Sequence, residues 1–172
     1  MKKGANLHDT DKDGVTPLMV ACKAGREQTA KFILDTLGQN VSYNSADYVE
    51  KKFGLGGVDR PGKDSWCALH LAVVADQALM VVPILLKGGA AIDRPLSTRY
   101  DKMTPLMLAA ANADLTIVRL LVEKGGARVE KRDRYRRTAL THAVMNGAAN
   151  VTSYLLAIGR LPLQRRIKNF II

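Results

Sequence analysis

The chain has 172 residues, of which 47% are hydrophobic and 24% are charged, and its formal net charge is +10. This length and composition can build one sizeable core or a short stack of repeats, and they exclude a disordered polyelectrolyte. Two cysteines are too few for a disulfide framework, and no apolar run is long enough to span a membrane or to form the core of a secretion signal. We therefore expect a folded protein of the cytosol or nucleus.

The positive charge is concentrated toward the C-terminus. Residues 123–172 contain 11 Lys and Arg against 3 Asp and Glu, whereas residues 1–122 contain 15 against 13. Charge of this kind bears on binding partners and association rates rather than on the fold. The basic C-terminal third is therefore where the sequence is most informative about a partner.

Residues 1–10 have the pattern of the end of a repeating unit. The segment Lys3-Gly4-Ala5-Asn6 matches the Gly-Ala exits that follow later units at Gly89 and Gly126, but the helices that should precede it are missing. Repeat arrays normally close each end with a unit whose outer face is polar. This start predicts that the chain is a piece of a longer array.

The first complete unit is predicted at 11–38. Thr16 can cap a helix with its hydroxyl, and Pro17 has its φ angle preset for a first helical turn. Gly25 breaks that helix, and a second helix carries Phe32-Ile33-Leu34. A turn and two short helices cannot bury their own apolar face, so such a unit must stack on copies of itself.

Residues 39–61 form an insertion of about 17 residues beyond the usual period. A short helix is predicted at 45–53, and we expect Tyr43, Tyr48 and Phe53 to pack against neighbouring units. A partner-specific lip is the alternative, because insertions in repeat proteins map to surface loops. The glycine-rich run at 54–57 lacks a following Lys-Ser/Thr pair, so a phosphate-binding loop is not predicted.

Three further units are predicted at 62–93, 94–127 and 128–160. Their first-helix motifs start at Cys67, Thr104 and Thr138, and the spacings along the series that begins at Thr16 are 51, 37 and 34 residues. The first helices open with Cys67-Ala68-Leu69-His70, Thr104-Pro105-Leu106-Met107 and Thr138-Ala139-Leu140-Thr141, and the second helices carry Ile84-Leu85-Leu86, Leu120-Leu121-Val122 and Tyr154-Leu155-Leu156.

These units resemble the ankyrin repeat, which has a period of about 33 residues and a Thr-Pro-Leu-His-x-Ala core. The resemblance covers most of residues 11–160. It implies an all-α solenoid of stacked helix-turn-helix units with finger loops, in a single domain. Repeat 2 departs furthest from the pattern, since Cys67 and Ala68 replace Thr-Pro. Its second helix contains Pro83, which is either tolerated near the start of that helix or kinks it.

The family's turn glycine is present only in the first finger, as Gly14. Ser65, Lys102 and Arg136 occupy the equivalent positions. If the turn requires a positive φ angle there, each replacement costs up to ~1–2 kcal/mol.

The C-terminal tail, residues 161–172, does not continue the repeat. We expect it to act as an improvised cap that lays Leu161, Leu163 and Ile167 over the last repeat. A basic, apolar docking segment is the alternative.

No reaction chemistry is predicted. The histidines His8, His70 and His142 fall at unrelated places and are expected to be structural, and Cys22 and Cys67 are expected to be reduced packing residues. No nucleophile and base pair, metal-ligand cluster or cofactor motif is present in the sequence. We therefore expect no enzyme activity, no metal and no cofactor.

The resemblance implies that a partner binds the concave face formed by the fingers and the first helices. Trp, Tyr and Arg are frequent interface hot spots and are prominent among these positions. The alternative is that Trp66 and the tyrosines pack sideways on adjacent fingers. The predicted partner-binding residues are Lys23, Trp66, Tyr100, Asp101, Met103, Asn112, Arg134, Tyr135, Arg137, Met145 and Asn146.

The predicted function is that of a monomeric protein-interaction scaffold. The run at 131–137 favours an acidic segment on the partner, because charge complementarity raises the association rate. Nucleic acid or another polyanion is the rival partner, and a solvated charge run is the third interpretation. The alternative from another class is a targeting segment of a larger enzyme, such as a kinase or a tankyrase-type ADP-ribosyltransferase.

Overall fold

A computed structural model describes residues 6–39 and 57–159 of the chain. Within them the protein is all-α and has no strand, as the resemblance implies. The predicted helix at 45–53, the aromatic side chains of the insertion and the tail at 161–172 lie outside the described residues. The helices are α1 (Pro17–Lys23), α2 (Glu27–Gln39), α3 (Ala68–Val73), α4 (Ala78–Lys87), α5 (Pro105–Ala111), α6 (Leu115–Arg119, continued by a π-helical turn at Leu120–Lys124), α7 (Ala139–Met145) and α8 (Ala149–Gly159).

The first compact unit, Met1–Ala91, contains two helical hairpins. In it α1 packs on α3 and α2 packs on α4, so the first helices form one layer and the second helices form another. Met19, Leu69, Val81 and Leu85 are almost fully buried. Burial of a side chain of this size contributes about 1.5–3 kcal/mol, and here it depends on stacking of the two hairpins.

The second compact unit, Ile92–Ile172, repeats this arrangement. Its helix α5 packs on α7, and α6 packs on α8. Leu106, Ile117, Leu121 and Val151 fill the core and are at most 1% exposed. Each unit is therefore a pair of stacked hairpins with the same two layers.

The first helices begin with side-chain caps. The amide of Met19 donates to Oγ1 of Thr16 at 3.1 Å, the N-cap bond expected of a Thr-Pro start. In repeat 2 the Cys67 amide donates to Nδ1 of His70 at 3.4 Å, and the Cys67 sulfur lies 2.9 Å from the same nitrogen. Repeat 2 therefore caps its first helix without Thr-Pro. Its second helix, α4, continues past Pro83 to Lys87.

The finger turns need a positive φ angle at the position of the family's glycine. Gly14 has φ +75°, and its equivalents Ser65, Lys102 and Arg136 have φ +66°, +58° and +63°. These three residues therefore adopt the left-handed backbone conformation that favours glycine, so the condition for a cost in strain is met.

Candidate binding surface on the finger loops

The finger loops are closed by one backbone hydrogen bond each. In repeats 1, 2 and 4 it joins an amide to the carbonyl four residues later, as from Asp133 to Arg137 at 2.9 Å. In repeat 3 it joins Leu96 to Met103 at 2.9 Å, so that finger is three residues longer. This accounts for the spacing of 37 rather than 34 before repeat 3.

Neighbouring fingers within a unit are joined through their backbones. In the first unit the Lys63 amide donates to the Asp13 carbonyl at 2.8 Å, and in the second unit the Arg134 amide donates to the Asp101 carbonyl at 2.7 Å. Side chains add ion pairs across the same junctions. The Lys63 pair with Asp13 is exposed and long at 3.5 Å, so we expect it to contribute little.

Asp133 organises the fourth finger from inside. Its side chain is completely buried, and its Oδ1 accepts from the amides of Tyr135 at 2.8 Å and Arg137 at 2.9 Å. Its Oδ2 lies 2.6 Å from Nε of Arg137 and 3.0 Å from Nε2 of His142. Burial favours a higher pKa for Asp133, but the hydrogen bonds from Arg137, His142 and Tyr135 outweigh it and hold that pKa below its ordinary value of 3.8.

Arg137 links the fourth finger to the third. Besides its bond to Asp133, its Nη2 donates to Oδ2 of Asp101 at 3.0 Å, and its side chain is 25% exposed. One guanidinium thus binds two carboxylates from two fingers. The planar, forked arrangement of its donors allows this, and the ammonium group of a lysine does not reproduce it.

Tyr135 projects from this framework into solvent. Its side chain remains 60% exposed, although the Arg137 guanidinium carbon lies 4.8 Å and that of Arg134 lies 5.9 Å from the centre of its ring. Cation–π contacts of this kind favour one position of the ring and leave most of it accessible. A side chain that already prefers one position loses less entropy on binding, which suits Tyr135 to a contact surface.

The remaining predicted site residues of the second unit lie on the third finger and on the first helices. Tyr100 and Asn112 are exposed, and Asp101 and Met103 are partly buried. Met145 and Asn146 are exposed at the end of α7, where the Asn146 side chain donates to the His142 carbonyl at 2.9 Å. The unit thus brings Asp101, Arg134, Tyr135 and Arg137 into mutual contact.

In the first unit the predicted positions are Lys23, which is exposed at the end of α1, and Trp66, which is half-buried. The Trp66 ring meets His70 edge-on, with centroids 6.0 Å apart. Trp66 therefore packs on the histidine that caps its own repeat and leaves part of its surface accessible.

Sequence reasoning missed the role of Asp133. A signal for it was present, since Asp133 precedes Thr138 by five residues, as Asp11 precedes Thr16, and Oδ1 of Asp11 accepts from the amides of Asp13 and Val15, both at 2.9 Å. An aspartate at this position therefore shapes the finger. The structural role expected for His70 and His142 is confirmed, because both rings are buried and hydrogen-bonded.

Residues 6–39 and 57–159 contain neither a metal-ligand cluster nor a helix that could span a membrane. No group of three or more His, Cys, Asp or Glu side chains there could hold a metal ion. Over the same ranges, every helix is too short or too polar to cross a bilayer.

Comparison with known proteins identifies related sequences. A family model described as "Ankyrin repeats (3 copies)" matches residues 1–95 and 69–164. The chain is 32% identical over 140 residues to a poly [ADP-ribose] polymerase tankyrase of Caenorhabditis elegans, covering 80% of this chain and 6% of that protein. It is 32% identical over 148 residues to the human transient receptor potential cation channel subfamily A member 1, covering 86% of this chain and 11% of that protein. The chain thus spans a small fraction of the length of either relative.

Proposed function

This chain belongs to the ankyrin-repeat family, whose members bind protein partners, and we propose that its partner contacts the finger loops and first helices. The observation that carries the proposal is the exposed Tyr135, flanked by two arginines on a finger that the buried Asp133 holds in place. Aromatic and arginine side chains on a rigid support are typical of interface hot spots. Lys23 and Trp66 are the corresponding proposed contacts of the first unit.

An acidic segment is the chemistry we propose for the partner. Arg132, Arg134 and Arg136 are exposed around the fourth finger. The carboxylate of this finger, Asp133, is buried and is already bonded to Arg137 and His142. It therefore does little to neutralise the positive charge of the three exposed arginines. Such a patch attracts negative charge and accelerates association with an acidic partner.

The two relatives bear on the class of function. One is named as an enzyme and the other as a channel, and the chain covers only 6% and 11% of their lengths. What they share with this chain is sequence of the ankyrin-repeat kind, which supports a recognition role and no particular reaction. A targeting segment of a larger enzyme remains the alternative proposal, and a catalytic motif in the parent reading frame would decide for it.

The cellular compartment and the oligomeric state are also proposals. The buried Cys22 thiol is not part of a disulfide, which supports a reducing compartment such as the cytosol or nucleus. We propose that the chain is a monomer, and light scattering coupled to gel filtration tests this directly.

The test uses the purified 172-residue chain, an array of acidic, neutral and basic peptides and a DNA duplex, with Kd measured by fluorescence anisotropy. We expect binders among the acidic peptides and at least a tenfold loss of affinity for Tyr135→Ala. Phe32→Ala is the matched control, because Phe32 is also largely exposed but lies on α2, a second helix away from the fingers. Equal loss in both variants would contradict the proposed face, and preferential binding of a DNA duplex would favour the polyanion interpretation.

A further inference from the structure

The end of repeat 4 presents an apolar face that earlier repeats bury. Val144 is 59% exposed, whereas Cys22 and Ala110, at the same position of repeats 1 and 3, are fully buried. Leu156 is 41% exposed, whereas its equivalent in repeat 3, Val122, is 3% exposed. In repeats 1 and 3 the next hairpin of the same unit packs against the helices that carry these positions.

A groove of about 140 Å³ lies at this end of repeat 4. It is bordered by α7, α8 and the segment that leads into the fourth finger, and Glu130 is the one charged residue among the described residues that line it. The lining residues are Val129, Glu130, Thr138, Leu140, Leu155, Leu156 and Gly159.

We infer that the chain's own residues 161–172 occupy this groove and cover Val144 and Leu156. The last described residue, Gly159, lines the groove, so the segment that follows begins at its edge. Residues 161–172 include Leu161, Leu163 and Ile167, together with three basic residues and no acidic one. Their apolar side chains match the groove, and their charge matches Glu130.

The direct connection to Gly159 favours this segment over other occupants. A tethered segment binds at an effective concentration in the millimolar range for a short linker, without the entropy loss of bringing two molecules together. A second copy of the chain or a separate partner would bear that loss. The groove should therefore be filled in an isolated, dilute chain.

Photo-crosslinking of the full-length chain tests the inference. With Val144→p-benzoylphenylalanine, irradiation at low micromolar concentration should join residue 144 to a peptide within 161–172 of the same molecule. Tyr135→p-benzoylphenylalanine is the control, because Tyr135 is equally exposed but lies on the fourth finger. Crosslinks from position 144 only to a second copy, or to residues outside 161–172, would overturn the inference.

A double-mutant cycle supplies a second readout in the full chain. Leu156→Ala and Leu163→Ala should each raise the unfolding equilibrium constant by some factor. If Leu156 and Leu163 lie in one cluster, the factor for the double variant should be at least about twofold smaller than the product of the two single-variant factors. Tyr135→Ala combined with Leu163→Ala should give the simple product. A simple product for both pairs would show that the segment lies elsewhere.

Discussion

The Nε atom of Arg137 lies 2.6 Å from Oδ2 of Asp133, and this ion pair positions the guanidinium that lies nearer to the exposed ring of Tyr135. Arg137 is one of the predicted partner-binding residues, and in the structure it is bonded to carboxylates of two fingers. We interpret it as a positioning residue that restrains Tyr135 and joins the third and fourth fingers. We therefore propose that Tyr135 and Arg134 make most of the direct contact with the partner.

Arg134 and Arg137 should therefore respond differently to the same substitution. Arg137→Gln should weaken binding of an acidic peptide and also lower the unfolding midpoint, because it breaks two ion pairs within the second unit. Arg134→Gln should weaken binding, with a reduced salt dependence, and leave the midpoint unchanged. Anisotropy titrations at two salt concentrations, with urea unfolding, provide the measurements. A fully stable Arg137→Gln variant would contradict the positioning role.

Asp133→Ala should be among the most destabilising changes in the second unit. It removes a buried acceptor of four hydrogen bonds and leaves Arg137 and His142 without their partner, so we expect a loss of about 2–3 kcal/mol in the free energy of unfolding. Asp13→Ala is the control, because its ion pair with Lys63 is exposed, and we expect a change within about 0.5 kcal/mol. Urea titration at pH 7 measures both.

Acid should remove the contribution of Asp133 to the stability of the folded chain. Its pKa is lower in the folded chain than the ordinary value of 3.8. The stabilisation is therefore complete above the unfolded-state pKa and is lost as the pH falls through the folded-state pKa. The stability difference between the wild type and Asp133→Asn should shrink as the pH falls from about 5 to about 3. A constant difference down to pH 3 would contradict this account.

The thiol of Cys22 should be unreactive in the folded chain. Burial, with a smaller effect from the neighbouring Cys67, raises the pKa of Cys22 to about 12. Because the thiolate is the nucleophile, alkylation by iodoacetamide at pH 8 should be at least a hundredfold slower in native buffer than in 6 M urea. Mass spectrometry of tryptic peptides follows each cysteine separately. Rapid native labelling of Cys22 would show that α1 and α3 separate readily.

The helices of the repeats were predictable because the relevant signals are local. Thr16, Pro17 and Gly25 mark a helix start and stop within ten residues of each other, and the structure has α1 between them. The network around Asp133 was not predictable in the same way, because it joins side chains nine and 36 residues apart along the chain. Only the packed fingers show that one guanidinium serves two carboxylates.

The three residues that replace the turn glycine provide the last prediction. Arg136 stands at φ +63°, where an L-residue is strained by roughly 1–2 kcal/mol, so Arg136→Gly should relieve that strain. Glycine also raises the entropy of the unfolded chain, at a cost of about 0.5–1 kcal/mol, so the net gain should lie between zero and about 1.5 kcal/mol. Arg132→Gly is the matched control: Arg132 is exposed and is not among the positive-φ residues, so only the entropic cost applies and stability should fall.

Gly14→Ala should be destabilising as well, since its Cβ would lie 3.2 Å from Cα of Gly62 at a positive φ angle. Urea unfolding of the three variants tests the account. A loss of stability in Arg136→Gly as large as in Arg132→Gly would mean that the fourth finger relaxes its turn by another route.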